Sequence, residues 1–153
     1  MAFQQVTESE NQQGSEKSED GKKWLKVYCA SGYTQYKPYM VGDGTSGNSP
    51  AAIAPATLAI EQRLWVPQGD TTTTAGWYWG VVQGTCECLV DGTTDVASDA
   101  YLEIINAGVA LILDHADAPT VGGVGISLEA VTADAATQAT VWLHGMGVQV
   151  AAA

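Results

Sequence analysis

From Trp24 onward the chain is a series of short runs in which β-branched and aromatic residues alternate with polar ones, separated by Gly, Asn, Asp and Pro. Extended backbone sends successive side chains to opposite faces, so this texture predicts strands rather than helices. Strands are expected over 24–30, 58–66, 77–83, 85–90, 101–106, 109–114 and 139–150. In the second of these, Leu58, Ile60, Leu64 and Val66 share one face at period two, interrupted by Gln62, as in a half-buried strand. Asp91-Gly92 and Asn106-Ala107-Gly108 are tight-turn signals, the first suited to a type I′ hairpin because Gly accepts positive φ. Residues 41–55 (VGDGTSGNSPAAIAP) read as a long loop followed by a turn, and Thr71 to Thr74 as a polar loop between strands. The one helix candidate is 127–136, where alanine is frequent but no apolar stripe repeats. The expected fold is all-β: a compact barrel or sandwich of short strands over 24–153.

Residues 1–23 (MAFQQVTESENQQGSEKSEDGKK) have a different texture, dominated by Gln, Ser, Glu, Lys and Gly. Such a segment has too little apolar surface to offset the entropy of ordering itself. It reads as an extended polar arm that takes its order from a partner surface, with Phe3, Val6 and the adjoining Trp24 as candidate contacts.

The rest of the chain has ample core material. The whole chain is 153 residues long, near the size of one domain, with 46% hydrophobic and only 15% charged residues. Six Lys and Arg face 17 Asp and Glu, a net charge of −11, which argues against nucleic acid as a partner because affinity for phosphate backbones rests on clustered cations. The excess of acid is mostly in the body: the arm holds three lysines against five acids. No run of about 18 apolar residues suggests a membrane helix. The N-terminus lacks the basic-then-apolar pattern of a secretory signal. Cys29, Cys86 and Cys88 are odd in number and not densely spaced, so reduced thiols and synthesis in a cytoplasm are expected.

Chemistry-bearing patterns are few. Cys86-Glu87-Cys88 would put two thiols on one strand face, yet zinc needs two more ligands, which Cys29, His115 and His144 could supply only by folding together. Small buried side chains are the reading adopted, with no metal and no cofactor. Asp114-His115-Ala116-Asp117 with Ser127 downstream allows a hydrolytic triad to be written, but no nucleophile elbow, zinc-protease helix or phosphate-cradling loop accompanies it. His115 is read as a turn residue and His144 as one member of a strand face with Trp142, Met146 and Val148. No catalytic residue is assigned. Gly76-Trp77-Tyr78-Trp79-Gly80 places Trp77 and Trp79 on one face of a strand and Tyr78 on the other. The two Trp are core if buried; exposed, they suit a protein interface or stacking on sugar rings.

Three stretches, Val96-Ala-Ser-Asp-Ala-Tyr-Leu102, Gly125-Ile-Ser-Leu-Glu-Ala130 and Ala139-Thr-Val-Trp-Leu-His-Gly145, resemble the small bacteriophage capsid decoration, or cement, proteins. Those proteins carry a "Gly-x-Ala-Leu-Glu-Ala" turn and a "Val-x-Leu-x-Gly" final strand on a compact β-barrel; here Ser127 stands at the alanine of the turn. The resemblance covers roughly residues 80–150. It implies a virion structural protein, made in the host bacterial cytoplasm, that binds the capsid exterior and clamps neighbouring major capsid protein subunits, commonly as a homotrimer. It implies no catalytic residues, cofactor, nucleic acid or membrane. Phe3, Val6, Trp24, Trp77 and Trp79 are the expected partner-binding residues. Two other readings are a head-fibre or tail-associated receptor- or carbohydrate-binding module using Trp77 and Trp79, and a hydrolase using His115 and Asp117.

Overall fold

A computed structural model of the chain describes residues 14–44, 47–53, 63–91, 96–103, 111–113, 123–132 and 136–148. The strands are β1 (Glu16–Glu19), β2 (Lys22–Cys29), β3 (Tyr39–Gly42), β4 (Ala51–Ile53), β5 (Leu64–Pro67), β6 (Gly76–Asp91), β7 (Tyr101–Glu103), β8 (Leu111–Leu113), β9 (Gly123–Ser127) and β10 (Ala136–Val148). No helix occurs among the described residues. The fold is all-β, a small closed five-strand mixed barrel with extra strands.

The barrel runs β6-β10-β9-β7-β8 and returns to β6, every pairing being antiparallel except the parallel β6–β8 contact at Val90↔Leu111 and Asp91↔Ile112. The extra strands follow the same plan. β2-β4-β3-β5-β6 also returns on itself through the antiparallel β2–β6 ladder, with one parallel pair, Tyr28↔Ala51, joining β2 to β4. Two rings of strands therefore share β6, whose first half belongs to the β2 ring and whose second half belongs to the barrel. The change of partner falls at Gly84: β2 pairs with β6 from Gly76 to Gln83, and β10 from Gly84 to Asp91. Gly84 has φ +101°, and a Cβ there would lie 3.0 Å from the Gly21 carbonyl oxygen, so only glycine fits without strain.

Each ring has its own core. Leu25, Val27, Cys29, Trp65 and Val82 fill the β2 ring, with Tyr33, Tyr39 and Tyr78 packed against them. The larger cluster includes Cys86, Cys88, Val90, Leu102, Ala139, Val141 and Leu143 of the barrel, and extends to Met40, Leu64, Val66 and Val81 on the other side of the β2 ring's wall. One wall thus serves both cores. β5 shows this most plainly, because Leu64 and Val66 join one cluster while Trp65 between them joins the other. The Trp65 indole N–H donates to the Leu25 carbonyl at 3.0 Å, which satisfies the polar atom of a fully buried ring. A Cβ on Gly80 would come within 2.4 Å of that ring, so the close approach of β6 to Trp65 requires glycine.

Several expectations from the sequence need correction. The arm boundary at residue 23 is too late: β1 pairs with β2 from Glu16↔Leu25 to Glu19↔Lys22, so residues 16–23 are part of the sheet. Residues 41–55 are not one loop, for β3 and β4 pair across them at Met40↔Ile53, Val41↔Ala52 and Gly42↔Ala51. The strands expected over 77–83 and 85–90 are one continuous strand, with Gly84 between them at positive φ. The helix candidate over 127–136 is replaced by the end of β9 at Ser127 and the start of β10 at Ala136. β5 is buried on both faces, not half-buried, because it lies between the two cores. Residues 54–62, the first part of the expected strand 58–66, lie outside the described residues.

Candidate functional site

Of the five residues singled out from the sequence, three lie within the described residues. Phe3 and Val6 lie outside the described residues, as do His115 and Asp117. Trp24, Trp77 and Trp79 share the outer face of the β2–β6 ladder, the register placing Tyr28 opposite Trp77, Lys26 opposite Trp79 and Trp24 opposite Val81. All three Trp are half-buried by neighbours. Trp77 meets Tyr28 edge to face at 5.6 Å. Trp79 has Lys17 Nζ 4.8 Å and Lys26 Nζ 5.9 Å from its ring centroid. Trp24 packs against the barrel core, and its indole N–H donates to the Glu19 carbonyl at 3.4 Å. These indoles hold the β1–β2 hairpin onto the sheet, and cations from two strands already occupy the surroundings of Trp79. Tyr78, on the opposite face, packs against the inner core and donates from its hydroxyl to the Thr74 carbonyl at 2.8 Å.

The cysteines do not converge. Cys86 and Cys88 point into the barrel core and Cys29 into the other. Burial pushes the Cys29 and Cys86 thiols up to about 12 and raises Cys88 as well. They are packing residues, poor as nucleophiles or ligands because each must lose its proton to act. Ser127 is also fully buried, and its hydroxyl donates to the Glu129 carbonyl at 2.6 Å, closing the turn after β9. The Glu129 carboxylate in turn accepts from the Thr140 backbone N–H at 2.7 Å.

The exposed apolar surface is elsewhere, on the outside of the barrel. Along β10, Ala139, Val141 and Leu143 face inward, which sends Thr140, Trp142 and His144 outward. Ile126 of β9 sits opposite both Trp142 and Tyr101 of β7, giving a row across three strands. Leu128 lies two residues beyond Ile126, its backbone N–H donating to the Thr140 carbonyl. Tyr101 and Leu128 are each 42% exposed and Trp142 36%, high for large apolar side chains collected on one sheet. His144 completes the face, its ring 4.9 Å from Trp142 in edge-to-face geometry and 6.4 Å from Tyr101. Partial burial there holds its imidazole below the ordinary histidine range.

Trp142 also lines an open groove of about 400 Å³ at the junction of the two rings, together with Gly21, Lys22, Lys23, Gln83 and Gly84. The location is electrostatically distinctive. Lys17, Lys22, Lys23 and Lys26 all lie on the β1–β2 hairpin, and Arg63 is joined to it through Glu16 at 2.7 Å, so five of the chain's six cations gather on one hairpin of an acidic protein. Among the described residues, Lys22 and Lys23 form no ion pair. The sequence places Trp142 and His144 on one strand face, as found, but gives no sign of Tyr101, Ile126 and Leu128 beside them or of the groove. Compared with known proteins, the chain matches no family model, no curated protein and no solved structure.

Proposed function

We propose that the chain is a virion structural protein that docks on the outside of a phage capsid and stabilises it by clamping neighbouring major capsid protein subunits. The observation that carries this reading is the exposed row of Tyr101, Ile126, Leu128 and Trp142 on the wall of a closed barrel. Large aromatic side chains gathered on one rigid sheet suit a protein interface, where such residues supply most of the binding energy. A barrel wall holds them in place, so little order has to be gained on docking. The resemblance of residues 96–102, 125–130 and 139–145 to decoration proteins falls on the three segments that build this face. On a shell of many identical subunits, modest contacts repeated by an oligomeric clamp add through avidity, and a homotrimer at a symmetry point is the natural form.

The test is a titration of full-length protein onto undecorated capsids of its source virus, read by co-sedimentation and by capsid melting. Saturable binding that raises the capsid melting temperature is expected. The double variant Tyr101→Ser/Leu128→Ser should bind at least about 30-fold more weakly, as for loss of interface anchors, while keeping its own melting temperature because both side chains are exposed. Absence of binding by the unaltered protein would overturn the reading.

A further inference from the structure

The exposed row on the barrel wall contains one group whose charge changes near neutral pH. His144 shares the outward face of β10 with Trp142, its ring 4.9 Å from that indole and 6.4 Å from the Tyr101 ring. Among the described residues it makes these ring contacts and neither a hydrogen bond nor an ion pair. It is half-buried, so part of the imidazole still meets water in the free chain.

The charges around it are few and set apart. β9, Gly123–Ser127, carries no titratable residue. β7 brings Tyr101 toward the imidazole and also carries Glu103, one residue past Leu102. Leu102 and Leu143 both pair with Gly125, so the Glu103 backbone stands two strand spacings from β10, roughly 10 Å. On β6, the Glu87 carboxylate accepts from the Thr140 hydroxyl at 3.0 Å and the Gln138 amide at 3.2 Å. Glu129 accepts from the Thr140 backbone N–H at 2.7 Å. Past Trp142, the groove brings in Lys22 and Lys23. Charges about a Debye length away are largely screened, so burial sets the balance and holds the imidazole below its ordinary range.

A partner seated on this face removes the water that His144 retains. A neutral imidazole then enters an apolar contact, whereas an imidazolium would enter it as a charge lying against two aromatic rings with no carboxylate bonded to it. The docked form therefore holds fewer protons than the free form, and by linkage acid favours the free form. We infer that docking on the Tyr101–Trp142 face is coupled to the proton on His144: the face engages its partner with the imidazole neutral and releases it as the imidazole protonates. This rests on the capsid reading for the partner and adds its regulation, a clamp that holds at neutral pH and loosens in acid.

The test repeats the capsid titration at about pH 7.5 and about pH 5 with the unaltered chain, His144→Phe and His144→Gln, each protein being compared with itself. The unaltered chain should dock roughly tenfold more weakly in acid, since each unit below the imidazole's own pKa costs up to a factor of ten. Both variants, which cannot protonate there, should lose no more than about twofold, whatever their affinity at neutral pH. Calorimetry in two buffers of different ionisation enthalpy should show protons released when the unaltered chain docks in mild acid, and none for the variants. Circular dichroism at each pH confirms folding, and the use of two variants guards against one that misfolds. No docking by the unaltered chain at neutral pH would overturn the capsid reading and this inference together. Docking with the same pH ratio in all three proteins, or docking that tightens in acid, would overturn this inference and leave the capsid reading standing.

Discussion

Trp65→Phe is the perturbation that asks whether the two rings fold as one unit. Trp65 is fully buried in the β2-ring core, its indole N–H satisfies the Leu25 carbonyl at 3.0 Å, and its strand neighbours Leu64 and Val66 belong to the barrel cluster. A phenyl ring cannot donate, and withdrawing a hydrogen bond from a buried carbonyl costs about 1–2 kcal/mol. The smaller ring leaves roughly 40 Å³ unfilled, about 1 kcal/mol at ~24 cal/mol per Å³. The sum, about 2–3 kcal/mol, corresponds to a melting temperature lower by roughly 5–10 °C for a domain of this size. Differential scanning calorimetry should show one transition before and after the substitution, moved as a whole, because the wall that carries Trp65 also bounds the other core. A trace that splits, with one component unmoved, would refute the shared-wall reasoning; a shift below about 2 °C would refute the tight packing inferred around the indole.

Other outcomes follow from the same packing. Gly84→Ala, which forces a side chain onto φ +101° and toward the Gly21 carbonyl oxygen, should destabilise by about 1–3 kcal/mol in urea titrations, and a neutral result would mean that the partner switch tolerates ordinary residues. Burial disfavours the charged form of His144 in the folded chain, so the unfolded chain binds more protons as pH falls through the ordinary histidine range near 6.5; stability should drop between pH 7 and 5, and His144→Phe should flatten that slope. With Cys29, Cys86 and Cys88 buried and their thiolates disfavoured, native protein should react slowly with a thiol reagent and take up three equivalents only in denaturant; rapid labelling in buffer would contradict the two-core packing.

The parts legible in the sequence were those where one side of a strand is buried. β2 and β10 stand out because Leu25, Val27 and Cys29, or Ala139, Val141 and Leu143, alternate with outward residues. β1 gave no such signal: Glu16-Lys17-Ser18-Glu19 buries almost nothing and owes its form to the ladder with β2 and to Lys17 lying near Trp24 and Trp79. β3 and β4, four and three residues long, are too short for a periodicity and are flanked by Gly and Pro. β5 departs from the half-buried strand its sequence predicts because a strand between two cores loses its polar face, a tertiary fact that no local pattern encodes. The exposed apolar face was hidden for a related reason: Tyr101, Ile126 and Trp142 become neighbours only through the order β7-β9-β10. Trp77 and Trp79, the most conspicuous aromatic pair in the sequence, are half-buried against Tyr28, Lys17 and Lys26.

β6 is bonded along both edges at many points. β2 and β10 succeed one another along it, β5 adds Val66↔Val81 and Pro67↔Gly80, the Gln68 side chain bonds both the N–H and the carbonyl of Glu87, the Tyr36 carbonyl accepts from Leu89, and β8 closes the end at Val90. A pull that separates one ring from the other must therefore draw this strand lengthwise past its neighbours, breaking many bonds at once in shear instead of unzipping them singly. Resistance of that kind is set by the unfolding rate rather than by equilibrium stability. The molecule is built as a tie bar, with its mechanical axis along β6.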